Sequence, residues 1–266
     1  MKFKLLTLLC YLSFTLMASA QASGGQIKRP GKGLSSNPTS ATIATSHSST
    51  RSYTIKELYE KGSLYYHKGN YQEAIKWYTK AAEKGYTVAQ SELGFIYLNG
   101  EGVPVNKAEA VKWLKLAGEK GETMAQYTLG CLYKKGDGVY KSESEANKWF
   151  KLAAPRFYQL SKDLMEVGNK QCIDFFYTVI DMNVVPYRTC SLFHLGAIYY
   201  YGDGGQTIDF SKAYKFFKSA ADEGNCPAKY YLGLCYEYGR GVPKDITKAI
   251  EYYKKSGYTS LPSRDF

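Results

Sequence analysis

The chain has 266 residues, with 35 Lys or Arg against 24 Asp or Glu, and a formal net charge of +11. Six of the basic residues and none of the acidic ones precede residue 53, which leaves a net charge of +5 for residues 53–266. Because this excess is mild and no dense Lys/Arg face interleaved with aromatic residues is present, the composition argues against nucleic-acid binding.

The first 20 residues have the pattern of an export signal. Lys2 and Lys4 precede an apolar run at residues 5–17, and residues 18–20, "ASA", match the small-x-small sequence that signal peptidase cleaves. This run is too short to span a bilayer as a helix, which takes about 20 residues. We therefore predict cleavage of residues 1–20, no transmembrane segment in the mature chain and a periplasmic or extracellular location, with a bacterial envelope as the expected setting. An uncleaved anchor is the alternative.

Residues 21–52 are rich in Ser, Thr, Gly and Pro and contain few bulky apolar side chains. A segment of this composition cannot bury enough surface to offset its conformational entropy. We therefore predict a flexible linker at residues 21–52, followed by a folded domain at residues 53–266.

The folded domain has an internal period of 36 residues. Trp77, Trp113 and Trp149 lie 36 residues apart in "EAIKWY", "EAVKWL" and "EANKWF", and the pattern returns with the same spacing in "KAYKFF" and "KAIEYY". Upstream of each lies a Gly–x–x–Tyr pair. The pairs are Gly62/Tyr65, Gly94/Tyr97, Gly130/Tyr133, Gly196/Tyr199 and Gly233/Tyr236. The period predicts helix–turn–helix units, which must stack because one pair cannot bury its apolar face alone.

Four short glycine sequences connect the predicted helices: "GEGV" at residues 100–103, "GDGV" at 136–139, "GDGG" at 202–205 and "GRGV" at 239–242. A phosphate loop needs G-x-x-x-x-G-K-[ST], and a dinucleotide turn needs G-x-G-x-x-G after a strand. Neither extension is present, and an aromatic-rich predicted helix precedes each copy. We interpret the four copies as structural turns.

The unit "AQSELGFIYLNGEGVPVNKAEAVKWLKLAGEKG" resembles a Sel1-like repeat, a relative of the tetratricopeptide repeat with a longer interhelical loop. The first unit, whose helices are joined by "KGNY", resembles a plain tetratricopeptide repeat. The predicted fold class is therefore all-α: an α-solenoid of stacked helix-turn-helix, Sel1-like or TPR-like, repeats. The predicted repeats lie at about residues 53–86, 87–121, 122–154, 190–225 and 226–260.

Residues 155–189 depart from the pattern. "PRFYQLSKDLMEVG" predicts one helix and "KQCIDFFYTVIDMN" a second. The predicted apolar faces are Phe157, Leu160, Leu164 and Val167 in the first helix, and Ile173, Phe176, Val179 and Ile180 in the second. We interpret the segment as a degenerate helical pair that keeps the stack continuous and alters its curvature. An inserted partner-specific element is the alternative.

Five cysteines remain after the predicted cleavage: Cys131, Cys172, Cys190, Cys226 and Cys235. The odd number implies at least one unpaired thiol or an intermolecular bond. Cys226 and Cys235 are nine residues apart and would lie on opposite faces of one helix, so Cys172 with Cys190 is the only local disulfide considered.

No catalytic, cofactor-binding or metal-binding residues are predicted. The sequence lacks H-E-x-x-H, G-x-S-x-G, C-x-x-C and S-x-x-K. Of the three histidines, His194 lies in a predicted repeat helix, where we expect a surface or groove position. The prediction is a non-enzymatic protein with no cofactor.

In tetratricopeptide-type stacks, which these units resemble, the first helix of each unit lines the concave face. We call the glycine of each Gly–x–x–Tyr pair the anchor glycine. Residues three before, one after and four after the anchor glycine share one stripe of that helix. The candidate groove residues are Tyr59, Tyr66, Phe95, Tyr127, Phe193, Tyr200 and Tyr230. Exposed aromatic rings provide large contact area at little cost in rotamer entropy. The Tyr three residues after each glycine is assigned to packing instead.

The sequence thus predicts an exported, non-enzymatic scaffold that binds a protein or peptide through a concave, Tyr-rich face. The family resemblance implies protein–protein interaction. A module that binds glycan or peptidoglycan through the same tyrosines is one alternative. A cell-wall amide hydrolase is a further one, for which the sequence offers no nucleophile–base pair.

Overall fold

The structure, a computed structural model, describes residues 52–258. The predicted export signal and all but the last residue of the predicted linker lie outside the described residues. The described part contains eleven α-helices and no strand. They are α1 Ile55–His67, α2 Tyr71–Glu83, α3 Thr87–Asn99, α4 Lys107–Glu119, α5 Thr123–Lys135, α6 Glu143–Glu166, α7 Cys172–Met182, α8 Tyr187–Tyr201, α9 Phe210–Asp222, α10 Cys226–Tyr238 and α11 Ile246–Ser256.

The helices form five pairs, each packed against the next. The pairs are α1/α2, α3/α4, α5 with the first half of α6, α8/α9, and α10/α11. Each pair holds one copy of the repeated sequence pattern, with the Gly–x–x–Tyr motif on its first helix. This confirms the prediction of an all-α solenoid of helix-turn-helix repeats.

The anchor glycine of each first helix lies against a large side chain of the second helix. A Cβ atom added to the glycine would come within 2.4–2.6 Å of that side chain, closer than atoms can approach. The five contacts are Gly62 with Tyr78, Gly94 with Leu114, Gly130 with Phe150, Gly196 with Phe217, and Gly233 with Tyr253. The partner is in every unit the residue that follows the Trp, Phe or Tyr of the repeated motif, so the missing side chain sets the separation of the two helices.

In the last two units, the aromatic residue of the repeated motif stacks on the Tyr that lies three residues after the anchor glycine. Tyr199 and Phe216 have ring centroids 5.8 Å apart and nearly parallel planes. Tyr236 and Tyr252 are arranged in the same way at 5.6 Å. In these two units the Tyr serves packing, as predicted.

Each G-x-G loop is a structural turn that also joins neighbouring units. Gly100 ends α3 in the left-handed region with φ of 72°, and Gly102 follows with φ of 71°. Beyond the loop, the Asn106 N–H donates to the Tyr97 carbonyl at 2.9 Å, a closure that recurs in the other three loops. A Cβ on Gly102 would lie 2.4 Å from Cβ of Tyr71, at the start of the preceding unit's second helix. The second glycine therefore allows the loop to rest on that helix.

Polar side chains fix the ends of the helices and the joints between units. Asn106 accepts a hydrogen bond from the backbone N–H of Glu109 and so caps α4. Equivalent caps begin the other second helices, at Asn70, Ser142, Asp209 and Asp245. Between units, the buried Gln90 amide donates to the Ala82 carbonyl at 3.0 Å, and Gln126 makes the corresponding bond to Gly118.

The prediction that a separate helix begins at residue 155 is wrong. Residues Glu143–Glu166 form one continuous helix that includes Pro155. The residues buried along it, which recur at three- and four-residue spacing, are Ala146, Phe150, Ala153, Phe157, Leu160 and Leu164. Because this apolar face runs unbroken past the exposed proline, its burial outweighs the hydrogen bond that the proline removes. Val167 lies at the end of the helix and is exposed, against the prediction.

The second predicted helix of this segment is confirmed as α7. Ile173, Phe176 and Val179 are buried in it, and Ile180 is partly buried. The third G-x-G loop adapts to the segment: a Cβ on Gly205 would collide with Lys170, in the turn before α7. The third loop therefore contacts the irregular segment rather than a regular second helix.

Replacing Gly102 with Ala should destabilise the stack more than replacing Gly69 with Ala. Both glycines have positive φ, so both changes cost about 1–2 kcal/mol of backbone strain. Gly69 has open space around it, whereas Gly102 faces Tyr71, which should add roughly 1–3 kcal/mol of steric cost. Urea denaturation of the two variants measures the difference. Equal losses would contradict the packing role of the loop.

Adding nucleotide should leave the thermal midpoint of unfolding unchanged, because the loops are structural turns.

Candidate partner-binding surface

The seven predicted groove residues fall into two sets. Phe193 and Tyr200 of α8 are only 1% and 4% exposed, so they cannot line an open groove, and the prediction is corrected for these two. The other five are partly exposed: Tyr59, Tyr66, Phe95, Tyr127 and Tyr230.

One side chain of the following unit explains the burial in α8. The ring of Tyr231 lies 5.6 Å from that of Phe193 and 5.7 Å from that of Tyr200, measured between centroids. Tyr231 stands two residues before its anchor glycine, where the second unit has Glu92. Because Tyr231 is fully buried and bulky, it closes the stripe in the fourth unit and turns predicted contact residues into core.

The middle residue of the G-x-G loop contacts the preceding unit, a feature that the sequence analysis missed. The Tyr66 hydroxyl donates to Glu101 Oε2 at 2.5 Å, and burial together with this carboxylate raises the pKa of Tyr66. In the last loop the residue is basic, and Arg240 donates to the Tyr200 hydroxyl at 2.5 Å. In both cases the sequence has a Tyr four residues after an anchor glycine and a charged residue in the middle of the next unit's G-x-G loop. The charge is negative at Glu101 and positive at Arg240, so the two pairs do not form one recognisable pattern.

The partly exposed rings also pack against their neighbours. Tyr59 lies 5.0 Å from Tyr86 in the turn before α3. Tyr127 lies 5.2 Å from Phe157 in the second half of α6. Each ring is thus held in one position and presents its remaining surface to solvent.

We use the name inner stripe for the partly exposed side of α1, α3 and α5. It is formed by Tyr59, Ser63, Tyr66, Phe95, Leu98, Tyr127 and Cys131. Burial raises the pKa of the Cys131 thiol, and the Asp181 carboxylate adds a smaller effect in the same direction. The ring of Phe157, on which Tyr127 packs, lies 5.8 Å from that of Phe175 in α7, so α7 packs behind this end of the inner stripe.

His194 does not occupy the expected surface or groove position. Its imidazole is 1% exposed and stacks on Phe176, with ring centroids 5.2 Å apart. Nε2 lies 3.0 Å from the Tyr158 hydroxyl. Burial raises the pKa of the Cys190 thiol, although a hydrogen bond to Tyr158 acts in the opposite direction. These side chains join α6 and α8 inside the protein.

The described residues show no disulfide and no group of three or more side chains that could hold a metal ion. The considered bond between Cys172 and Cys190 is not formed. Within residues 52–258, no helix combines the length and apolar character that crossing a membrane requires.

The five cysteines should differ strongly in their reaction with iodoacetamide at pH 8. Cys226 is exposed and should react first. Burial raises the pKa of Cys172 to about 11 and that of Cys235 to about 12, so little thiolate forms at either in the folded protein. Mass spectrometry of quenched samples measures the order. Labelling of Cys235 as fast as that of Cys226 without denaturant would contradict the structure, and guanidinium should remove the difference.

Comparison with known proteins gives a match to the family model described as Sel1 repeat. It matches residues 57–86, 87–122, 123–154, 191–225 and 226–258, more than half of the chain. The unmatched interval between the third and fourth segments contains the second half of α6 and all of α7.

Curated relatives match over short stretches. The chain is 49% identical over 45 residues to DAP3-binding cell death enhancer 1 of Mus musculus. This match covers 17% of this chain and 9% of that protein. It is 34% identical over 70 residues to HRD3A of Arabidopsis thaliana, a component of an ERAD-associated E3 ubiquitin-protein ligase, covering 26% and 10%. The matched region spans only about a tenth of these relatives.

Two solved structures match over most of the described chain. The protective antigen c5321 of uropathogenic Escherichia coli is 32% identical, with a TM-score of 0.42, covering 76% of this chain and 45% of that one. A Sel1 repeat protein from Oxalobacter formigenes is 26% identical, with a TM-score of 0.41, covering 75% and 82%.

Proposed function

The chain belongs to the Sel1 repeat family, and on that premise we propose that it is an exported, non-catalytic scaffold that binds a protein or peptide partner through its inner stripe. Sel1 repeat proteins often serve as scaffolds for protein–protein interaction and are generally non-catalytic. The pattern of residues 1–20 supports the exported location, in the periplasm or outside the cell.

The observation that carries the proposal is the row of partly exposed aromatic rings on three successive first helices. Tyr59, Phe95 and Tyr127 come from three different units and share one side of the stack. Tyr59 and Tyr127 are fixed by packing on Tyr86 and Phe157. A surface that is rigid before binding loses little conformational entropy when a partner docks, so its contact area is converted efficiently into affinity.

The same row is absent in the fourth unit, which limits the size of the proposed site. Phe193 and Tyr200 are buried and pack against Tyr231. The proposed site therefore extends over three units, with Tyr230 of the last unit separated from it along the chain by the closed part.

Two other functions fit the sequence less well. Exposed tyrosines could also stack on sugar rings, so a glycan ligand is an outcome that the experiment must distinguish. A hydrolase would need a reachable nucleophile and base. The Cys190–Tyr158–His194 contact brings such groups together, but the imidazole is 1% exposed.

A photo-crosslinking amino acid at position 95 should capture the partner in the native envelope, while the same amino acid at position 116 should not. Leu116 is the matched control, because it is an apolar residue of the second helix with 43% exposure. The captured protein, once identified by mass spectrometry, should bind the purified wild-type chain and lose about tenfold in affinity to Phe95→Glu, a change of 1.4 kcal/mol.

Leu116→Glu should leave that affinity unchanged. Equal crosslinking at both positions, or equal affinity of the two glutamate variants, would refute binding at the inner stripe. Binding of purified peptidoglycan that is lost in Phe95→Glu and not competed by peptide would replace the peptide ligand with a glycan.

A further inference from the structure

The third unit has an exposed tyrosine that the fold does not use. Tyr140 follows the "GDGV" loop and is 97% exposed. The corresponding residues after "GEGV" and "GRGV" are Pro104 and Pro243, which suit a loop. A large aromatic side chain held almost entirely in water contributes nothing to the core and is available for a contact with another molecule.

Tyr140 stands at the edge of an open depression of about 560 Å³. The depression is lined by Lys115, Tyr133, Gly136, Gly138, Val139 and Tyr140. Its floor is well packed: a Cβ on Gly138 would lie 2.6 Å from Lys107 Cβ, and one on Gly136 would lie 2.9 Å from Lys141 Cβ. The loop is therefore held against α4 and against its own continuation, and the depression is preformed.

Lys115 lines this depression, and Lys107 and Lys141 lie against its glycines Gly138 and Gly136; two of these three lysines have no carboxylate partner within the described residues. Lys107 Nζ forms an ion pair with Asp137 at 2.7 Å. Lys115 and Lys141 form no ion pair with any residue of the described chain. The Lys115 ammonium lies 5.5 Å from the centre of the Tyr133 ring, at the wall of the depression.

We propose that this depression is a second docking surface, which binds an acidic peptide segment of a protein partner. Exposed lysines are screened by water and salt, and each contributes little to the affinity for a single anion. Several carboxylates on one chain can contact Lys115 and Lys141 together. Tyr140 adds an apolar contact through its ring, so a peptide gains both kinds of interaction where a free anion gains one.

The site is separate from the inner stripe and does not rest on the function proposed for it. Tyr133 follows Cys131 by two residues on α5, which places the two side chains about 200° apart around the helix. A partner in the depression would therefore leave Phe95 and Tyr127 accessible. Failure of either proposal leaves the other standing.

The chain supplies a matched control for the test. Lys244 occupies the position in the "GRGV" loop that Lys141 occupies in the "GDGV" loop, and it follows Pro243 instead of Tyr140. Both lysines are exposed, so Lys141→Glu and Lys244→Glu change the net charge equally and should both fold. Any difference between the two variants reports on the depression rather than on total charge.

The experiment measures fluorescence anisotropy of a labelled hexaglutamate peptide with the full chain, and of a hexaglutamine peptide as the neutral control. We expect hexaglutamate alone to bind, with Kd rising as NaCl increases from 50 to 300 mM. Lys141→Glu should weaken binding about tenfold and Tyr140→Ala about threefold, whereas Lys244→Glu should change Kd less than twofold.

Equal losses in Lys141→Glu and Lys244→Glu would show non-specific attraction to a basic protein and overturn the proposal. Absence of hexaglutamate binding at 50 mM NaCl would also overturn it. An unchanged Kd in Tyr140→Ala would remove the ring from the site and refute the docking surface as proposed. Circular dichroism of each variant confirms that folding is retained.

Discussion

The close approach of two helices at a glycine is the contact on which the rest of the structure depends. In every unit the anchor glycine faces the residue after the motif aromatic, with no room for a single methyl group. Since glycine is a poor helix former, its place in the middle of five helices has an energetic cost that only packing can offset. The helix pair gains that packing because the large side chain, Tyr78, Leu114, Phe150, Phe217 or Tyr253, fills the space beside the glycine backbone.

Once this distance is set, the units can only stack in a restricted way. The G-x-G loop reaches the preceding second helix because its second glycine also lacks a side chain, as at Gly102 against Tyr71. Buried amides such as Gln90 then bond across the joint to a carbonyl of that helix. Helix pairs, loops and joints thus repeat together, and the binding surface is what remains on the side of the first helices that no joint covers.

The parts that repeat could be predicted from the sequence, because a contact that recurs every 36 residues leaves a visible pattern. The helix pairs, the Gly–x–x–Tyr pairs and the structural role of "GEGV" belong to this class. The burial of Phe193 and Tyr200 could not be predicted in this way, since it depends on the single bulky residue Tyr231 in the following unit. The helix start predicted at Pro155 was wrong for a related reason. Proline is common at the first position of a helix, but the burial of the apolar face that continues from Phe150 to Phe157 outweighed this local preference.

These failures indicate where specific function is encoded in a chain of repeats. Positions that all units share maintain the stack and leave little freedom for recognition. Positions at which one unit differs from the others are free to change the surface: Tyr231 closes the stripe in the fourth unit, and Tyr140 replaces a loop proline beside unpaired lysines in the third. The first substitution is explained by the core that it completes, with Phe217 4.8 Å from its ring. The second is 97% exposed and completes no core within the described chain, which is why the second docking surface is proposed beside it.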